Sequence, residues 1–344
     1  MSLNLSGDLP LDDALIVEEQ VSTGIYIFSA ITLGLIGFFG FVLNLLVILS
    51  VVKDSKALWT PNNVILINMV VGDLLVAALG NPIAMTSAIA GTWYWSHNMC
   101  LCYAWFMTTM GFASIGNLTV MAIERFLLVA CPIKAVSLKH SYVLALLVWM
   151  YALSLSLPPL FSWGKYGLEA GNISCSVSWE LHDPEMHSGT YIAFIFVLGF
   201  FLPVILISSS YCGIVRILRN MNKRISLSNR RETKVIRMVY LMILAFLIAW
   251  SPYAVLALAT QYFYARTSYI VAVLPCLLAK SSICYNPIIY ACLNVQFSRA
   301  WKKMFFINKS TTRNSQHTGM TTLNKKKMRN LNRRQQQQAC QAKI

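Results

Sequence analysis

Seven long apolar runs decide what this chain can become. They fall near residues 25–51, 63–90, 98–124, 142–163, 189–215, 235–261 and 268–293. Each is long enough to cross a bilayer as an α-helix, which needs about 20 apolar residues. With 57% hydrophobic and only 12% charged residues, the 344-residue chain has too few polar groups to cover a globular surface. The expected fold is an all-α membrane protein, a seven-transmembrane-helix bundle.

An odd number of spans puts the termini on opposite sides, and the basic residues fix which is which. Of the 28 lysines and arginines, 25 lie in the first, second and third loops of one face or in the tail. The exceptions are Lys165, Arg266 and Lys280. Residues 1–24 carry five acids and no base, and no acid follows Glu232. The N-terminus is therefore expected outside, without a cleavable signal, and the tail in the cytoplasm of a multi-pass plasma-membrane protein. The net charge of +15 reads as a membrane-surface and orientation signal rather than a nucleic-acid footprint.

The expected organisation is an extracellular segment (1–24), the bundle (25–293), a short amphipathic cytoplasmic helix (294–307) and a disordered basic tail (308–344). In the third of these, Phe297, Trp301, Met304 and Phe305 share one helical face, with Arg299, Lys302 and Lys303 on the other side. Asn4 and Asn172 begin glycosylation sequons on the outer side. Cys100 and Cys175 both face the oxidising compartment, and a bridge would tie the second outer loop over the bundle mouth. Cys102 competes for the pairing but points another way around its helix. No metal site, catalytic residue or enzyme activity is expected.

Charged residues inside spans are costly and mark functional sites. Asp73 lies in the second span, Glu124 and Arg125 close the third, and Lys280 sits mid-way along the seventh. A lysine at a bilayer centre costs roughly 2.5–3.5 kcal/mol on insertion scales. Asn44 and Asn286 are expected to hydrogen-bond Asp73 across the bundle. A plain polar knot fixing helix register would account for Asn44 alone, but less well for a set spread over several helices.

The segments G-F-V-L-N, G-D, E-R-F, L-I-A-W-S-P-Y and N-P-I-I-Y occur in order, one per expected helix. Together they resemble the rhodopsin-class G-protein-coupled receptors over nearly the whole chain. Lys280, six residues before Asn286 of N-P-I-I-Y, narrows the resemblance to opsins, whose lysine binds retinal as a Schiff base. Asn294-Val295-Gln296 is similar to the N-K-Q of ciliary-type opsins, and the nonvisual or invertebrate branch is expected. The resemblance implies retinal (11-cis or all-trans) as cofactor. Burial disfavours an ammonium and favours the free amine, a nucleophile toward an aldehyde.

A protonated Schiff base needs an acid. At the third-helix position that serves vertebrate visual opsins stands the neutral Tyr103. Glu169, six residues before Cys175, matches the counterion position of many nonvisual and invertebrate opsins. Asp73 is a rival but lies too deep. The same resemblance puts Trp250 against the polyene, Tyr253 a turn outward, Pro252 at a helix kink and Gly111 beside the chromophore. Thr108, Phe200, Phe246 and Cys276 are candidate wall residues, each equally readable as plain core.

For signalling, the resemblance implies an Arg125 lock with Glu124 and Glu232, broken when light presses on Trp250. Tyr211 and Tyr290 then turn inward, with Asn286, Pro287, Asp73 and Asn44 completing the switch. The implied partners are a heterotrimeric G protein, inhibitory or transducin-like, with arrestin and a receptor kinase. Phe126 and Val295 depart from the family pattern, and the latter weakens the G-protein assignment. Bistability follows from a loop counterion. A retinal photoisomerase or a diffusible-ligand receptor are the alternatives; an intact coupling face argues against the first.

Overall fold

A computed structural model describes residues 22–131, 137–169, 171–179, 185–221, 229–265 and 268–293, with Phe297, Arg299 and Trp301. Seven helices are long and apolar enough to span a membrane: α1 (Thr23–Lys53), α2 (Asn63–Ala90), α3 (His97–Ala130), α4 (Leu138–Ser156), α5 (Ser188–Ile217), α6 (Ile236–Phe263) and α7 (Tyr269–Ile289).

Local chemistry sets several of the ends. Ser22, Ser96 and Ser137 cap α1, α3 and α4, each hydroxyl accepting from a backbone N–H of the first turn. Gly91, at φ 71°, ends α2 in the left-handed conformation that glycine adopts without a Cβ clash. The fourth expected span is cut short. Pro158 and Pro159 cannot continue the helix, and Pro158–Phe161 instead form a tight 3₁₀ turn. The third runs past Arg125 to Ala130.

Prolines also shape the helices from within, because each removes a backbone donor and crowds the preceding turn. A widened π turn at Val76–Gly80 precedes Pro82, and another at Val197–Phe201 precedes Pro203. A 3₁₀ turn at Ser282–Cys284 precedes Asn286-Pro287 and places the carbonyl of Ile283 where Asn44 can reach it.

The bundle buries side chains toward its axis and leaves apolar ones outward. Ile31, Phe38, Leu146 and Val255 are exposed on its outer surface, where lipid would take the place of a protein partner. One core cluster joins Val47, Leu66, Leu118, Met121, Met242 and Phe246; a second joins Leu33, Tyr103, Tyr166, Tyr191, Ile192 and Phe196. Phe297 is fully buried against the first, while Arg299 is exposed. This matches the expected two-faced helix, most of which lies outside the described residues, as do the segments 1–21 and 302–344 with Asn4.

Over the second cluster lies a hairpin, β1 (Tyr166–Leu168) and β2 (Cys175–Val177), antiparallel with Tyr166 opposite Val177. Cys100 and Cys175 are bonded, with Cα atoms 5.5 Å apart, so the hairpin is stapled to the start of α3. Cys102 is free. Tyr166 donates to the carbonyl of Ser156 at 2.6 Å, anchoring the other side.

Candidate functional site

Glu169 follows directly on β1, and its backbone N–H donates to the carbonyl of Ser174 at 2.9 Å. That bond closes the hairpin turn and aims the carboxylate inward, at α7. Lys280 comes to meet it: Nζ stands 3.4 Å from Glu169 Oε2, the ion pair found among the described residues. Three further donors hold the carboxylate. Tyr253 of α6 donates to Oε1 at 2.9 Å, Cys276 lies 3.2 Å from Oε2, and Ser174 Oγ donates to Oε2. Trp179 in turn donates to the Tyr253 hydroxyl at 2.9 Å. Burial works against ionisation of Glu169. Lys280 and the hydrogen bonds from Ser174, Cys276 and Tyr253 outweigh it and hold the carboxyl at about 2.

Cys276 is more than wall. One turn before Lys280 and on the same helix face, its sulfur lies 2.9 Å from Nζ, touching both members of the pair. The i, i+4 spacing made that proximity legible in the sequence. No sequence signal pointed to Ser174, Ser176 or Trp179, because a hairpin register places them.

Two abutting cavities meet at this pair, of about 270 and 170 Å³. The inner one gathers the expected wall: Thr108, Gly111, Phe200, Phe246, Trp250 and Tyr253. Trp250 stacks on Phe246 with centroids 5.5 Å apart, stands edge-on to Tyr253 and donates to Ser282 at 3.2 Å. A Cβ on Gly111 would lie 3.1 Å from Trp250 Cη2, so the missing side chain is what keeps that space open. An apolar slot ending in a primary amine fits a long hydrophobic aldehyde.

Other expectations are redrawn. Tyr103 lines neither cavity; it is buried edge-on against Trp93, its hydroxyl without a partner but in electrostatic range of Lys280 and Glu169. Asn286 donates to Asp73 at 3.3 Å as expected, but Asn44 does not join them. Its amide reaches the carbonyls of Gly40 and Ile283, because the 3₁₀ turn brings the latter closer. Both carboxylate oxygens of Glu124 lack hydrogen-bond partners, and no Glu124–Arg125 ion pair forms among the described residues. The two groups nevertheless remain within electrostatic range of each other. Tyr211 donates to the carbonyl of Ile236 at 3.4 Å. Glu232 and Tyr290 lie on helices, and their side chains are outside the described residues. Asn172 is exposed at the hairpin turn.

Comparison with known proteins agrees with this geometry. Residues 43–290 match the 7 transmembrane receptor (rhodopsin family) profile. The chain is 35% identical to the green-sensitive opsin of Gallus gallus over 279 residues, 79% of this chain and 76% of that one. It is 33% identical to the melanopsin of Rutilus rutilus over 291 residues, 80% and 57% of the respective chains. The crystal structure of squid rhodopsin superposes with a TM-score of 0.77 at 27% identity, covering 83% of this chain and 87% of that one. A seven-span bundle with a buried lysine in its last helix, matched along most of its length by these sequences, belongs to the rhodopsin-family seven-transmembrane receptors and, within them, to the opsins: it is a receptor rather than an enzyme.

Proposed function

We propose that the chain is a light-sensing receptor that holds retinal on Lys280, with Glu169 as the counterion, and signals to a heterotrimeric G protein. The observation that carries this reading is the Lys280–Glu169 pair at 3.4 Å, at the end of an apolar cavity. Retinal, joined through its aldehyde to Lys280 Nζ, supplies the visible absorbance and a light-driven change of shape. The chain's own residues do the rest.

Glu169 offsets a positive charge on the Lys280 nitrogen in surroundings that would otherwise disfavour it. Ser174, Tyr253 and Cys276 fix the carboxylate, so it cannot turn away when the cavity changes shape. Because the acid comes from a disulfide-tied hairpin and not from α3, helix movement leaves it in place, which supports a bistable receptor. Trp250, filling the space beside Gly111, transmits the shape change to α6, where Pro252 has already removed a helical hydrogen bond. An outward swing of α6 about that point opens the cytoplasmic side. There Arg125 with Glu124, and Tyr211, would serve the coupling face, Glu232 and Tyr290 are assigned to it from their sequence positions, and Asp73, Asn286 and Pro287 would link it to the core.

The preferred G protein is inhibitory or transducin-like, and the hydroxyl-rich tail is a substrate for a receptor kinase and a docking segment for arrestin. The chain sits in the plasma membrane with its N-terminus outside and Asn4 and Asn172 as glycan sites. The stapled hairpin at one end and 25 of 28 basic residues at the other support that orientation. We place it in the ciliary-type group, on the nonvisual or invertebrate branch.

The test is an absorption spectrum of the purified chain with 11-cis-retinal, before and after illumination. A visible band is expected, lost in Lys280→Ala and displaced to the ultraviolet in Glu169→Gln at neutral pH. A band that survives Glu169→Gln unmoved removes Glu169 as counterion. No band in the native chain removes the retinal reading. A second flash that restores the dark spectrum supports bistability.

A further inference from the structure

The Lys280–Glu169 pair has a third member, a thiol, that holding a cation does not require. Cys276 sits one turn before Lys280 on the same face of α7. Its sulfur is nearer to Nζ, at 2.9 Å, than the Glu169 carboxylate is, at 3.4 Å. The thiol also donates to Glu169 Oε2 at 3.2 Å. By contrast Cys284, two turns further along, donates to the carbonyl of Ile36 at 3.6 Å. Cys276 is half-buried and borders both cavities, so a small molecule in either one can touch the sulfur. A nucleophilic sulfur, an amine within contact distance and a carboxylate to take a proton therefore stand together.

We propose that Cys276 and Lys280 form a redox-reversible covalent pair: hydrogen peroxide oxidises the thiol, and the neighbouring amine captures the product as a sulfenamide. In the first step the Cys276 sulfur loses two electrons to the peroxide and becomes a sulfenic acid. One peroxide oxygen stays on sulfur and the other leaves as water. In the second step Lys280 Nζ attacks that sulfur; the S–O bond breaks, an S–N bond forms and the hydroxyl departs as water. The ammonium gives up two protons on the way, one to the departing hydroxyl and one to Glu169, so the charge pair is discharged as the bond is made. Sulfenic acids condense with backbone nitrogen by the same chemistry. Here the nitrogen is a side-chain amine already 2.9 Å away on the same helix face, so side-chain rotation closes the gap. Two molecules of a thiol reverse the link, returning the Cys276 thiol and the Lys280 amine and leaving one disulfide between themselves. The cross-link stands on this geometry alone. Its consequence, a chain that takes up no retinal until it is reduced, rests on the role of Lys280 proposed above.

The test treats the purified, retinal-free full chain with hydrogen peroxide and reads the segment holding Cys276 and Lys280 by mass spectrometry. A loss of two hydrogens is expected, assigned by fragmentation to those two side chains, with the native mass restored by dithiothreitol. Lys280→Arg keeps a cation beside the sulfur but has no amine to capture it. There dimedone, which traps sulfenic acids, should label Cys276, whereas in the parent it should label little. Cys276→Ser is the blank for both readings. Surface delivery with an intact Cys100–Cys175 bond identifies the folded variants, and the parent reading needs no substitution at all. A parent whose Cys276 stays reduced, or is oxidised without the link to Lys280, or whose link dithiothreitol leaves closed, would overturn the proposal. In a second arm 11-cis-retinal is added after the peroxide. The visible band should fall in proportion to the linked fraction and return on reduction; an undiminished band in fully linked chain would overturn the proposed consequence. Should the untreated chain form no band while the link still forms, the retinal reading fails and the cross-link stands.

Discussion

Replacing Glu169 by glutamine removes one charge while keeping an acceptor for Tyr253 and Ser174. At the observed 3.4 Å, the lost attraction to Lys280 amounts to about 5 kcal/mol at an effective dielectric of about 20. A second route starts from the carboxyl itself, held at about 2 against an ordinary 4.5. At 1.36 kcal/mol per pH unit, that corresponds to about 3 kcal/mol of folding stability. The second figure is the smaller because it already includes the desolvation that opposes the charge, and it is the one to expect. The sign follows from the direction of the shift. A depressed carboxyl stabilises the fold fully above about pH 4.5 and loses that contribution as the pH falls toward 2. The assay is thermal unfolding of the purified, retinal-free native chain and Glu169→Gln at intervals from pH 7 to pH 2. Their separation should hold steady down to about pH 4.5 and then close. A separation that is negligible at pH 7, or that stays constant through the acid window, would refute the charge-pair account.

Ser174→Ala should reproduce part of this effect, moving the Glu169 carboxyl upward and shifting the acid limb of the same unfolding profile to higher pH. Gly111→Leu should leave the retinal-free chain folded but abolish retinal uptake, with Gly111→Ala intermediate, since one methyl already meets Trp250 at 3.1 Å; the visible-band amplitude reads both. Asn286→Ala strips the buried Asp73 of its hydrogen bond and should cost about 1–3 kcal/mol in a denaturation series. Cys175→Ser opens a 75-residue loop, worth up to about 4 kcal/mol by chain entropy, less because the membrane already restrains the chain. It should also displace Glu169, so the visible band and the melting temperature fall together.

By itself, the sequence determined the parts of this protein that depend on solvent and on single residue types. Seven apolar runs must be helices, since lipid offers backbone groups no other partner, and uneven basic charge orients them. Lys280 was conspicuous because a cation is costly there, and Cys276 lay within reach by helical spacing. The tertiary structure decided what depends on backbone bends and on non-local register. The 3₁₀ turn before Pro287 turned Asn44 toward Ile283 and away from Asp73. Glu124 and Arg125, paired by the family resemblance, stay in electrostatic range without a hydrogen bond to the Glu124 carboxylate or a close ion pair among the described residues. Ser174, Ser176 and Trp179 joined the site only because a hairpin, pinned by one disulfide, brings a loop down onto α7. Periodicity reveals which side of a helix is buried; it holds no information about which loop atoms will meet a buried charge, and that meeting is what makes the site.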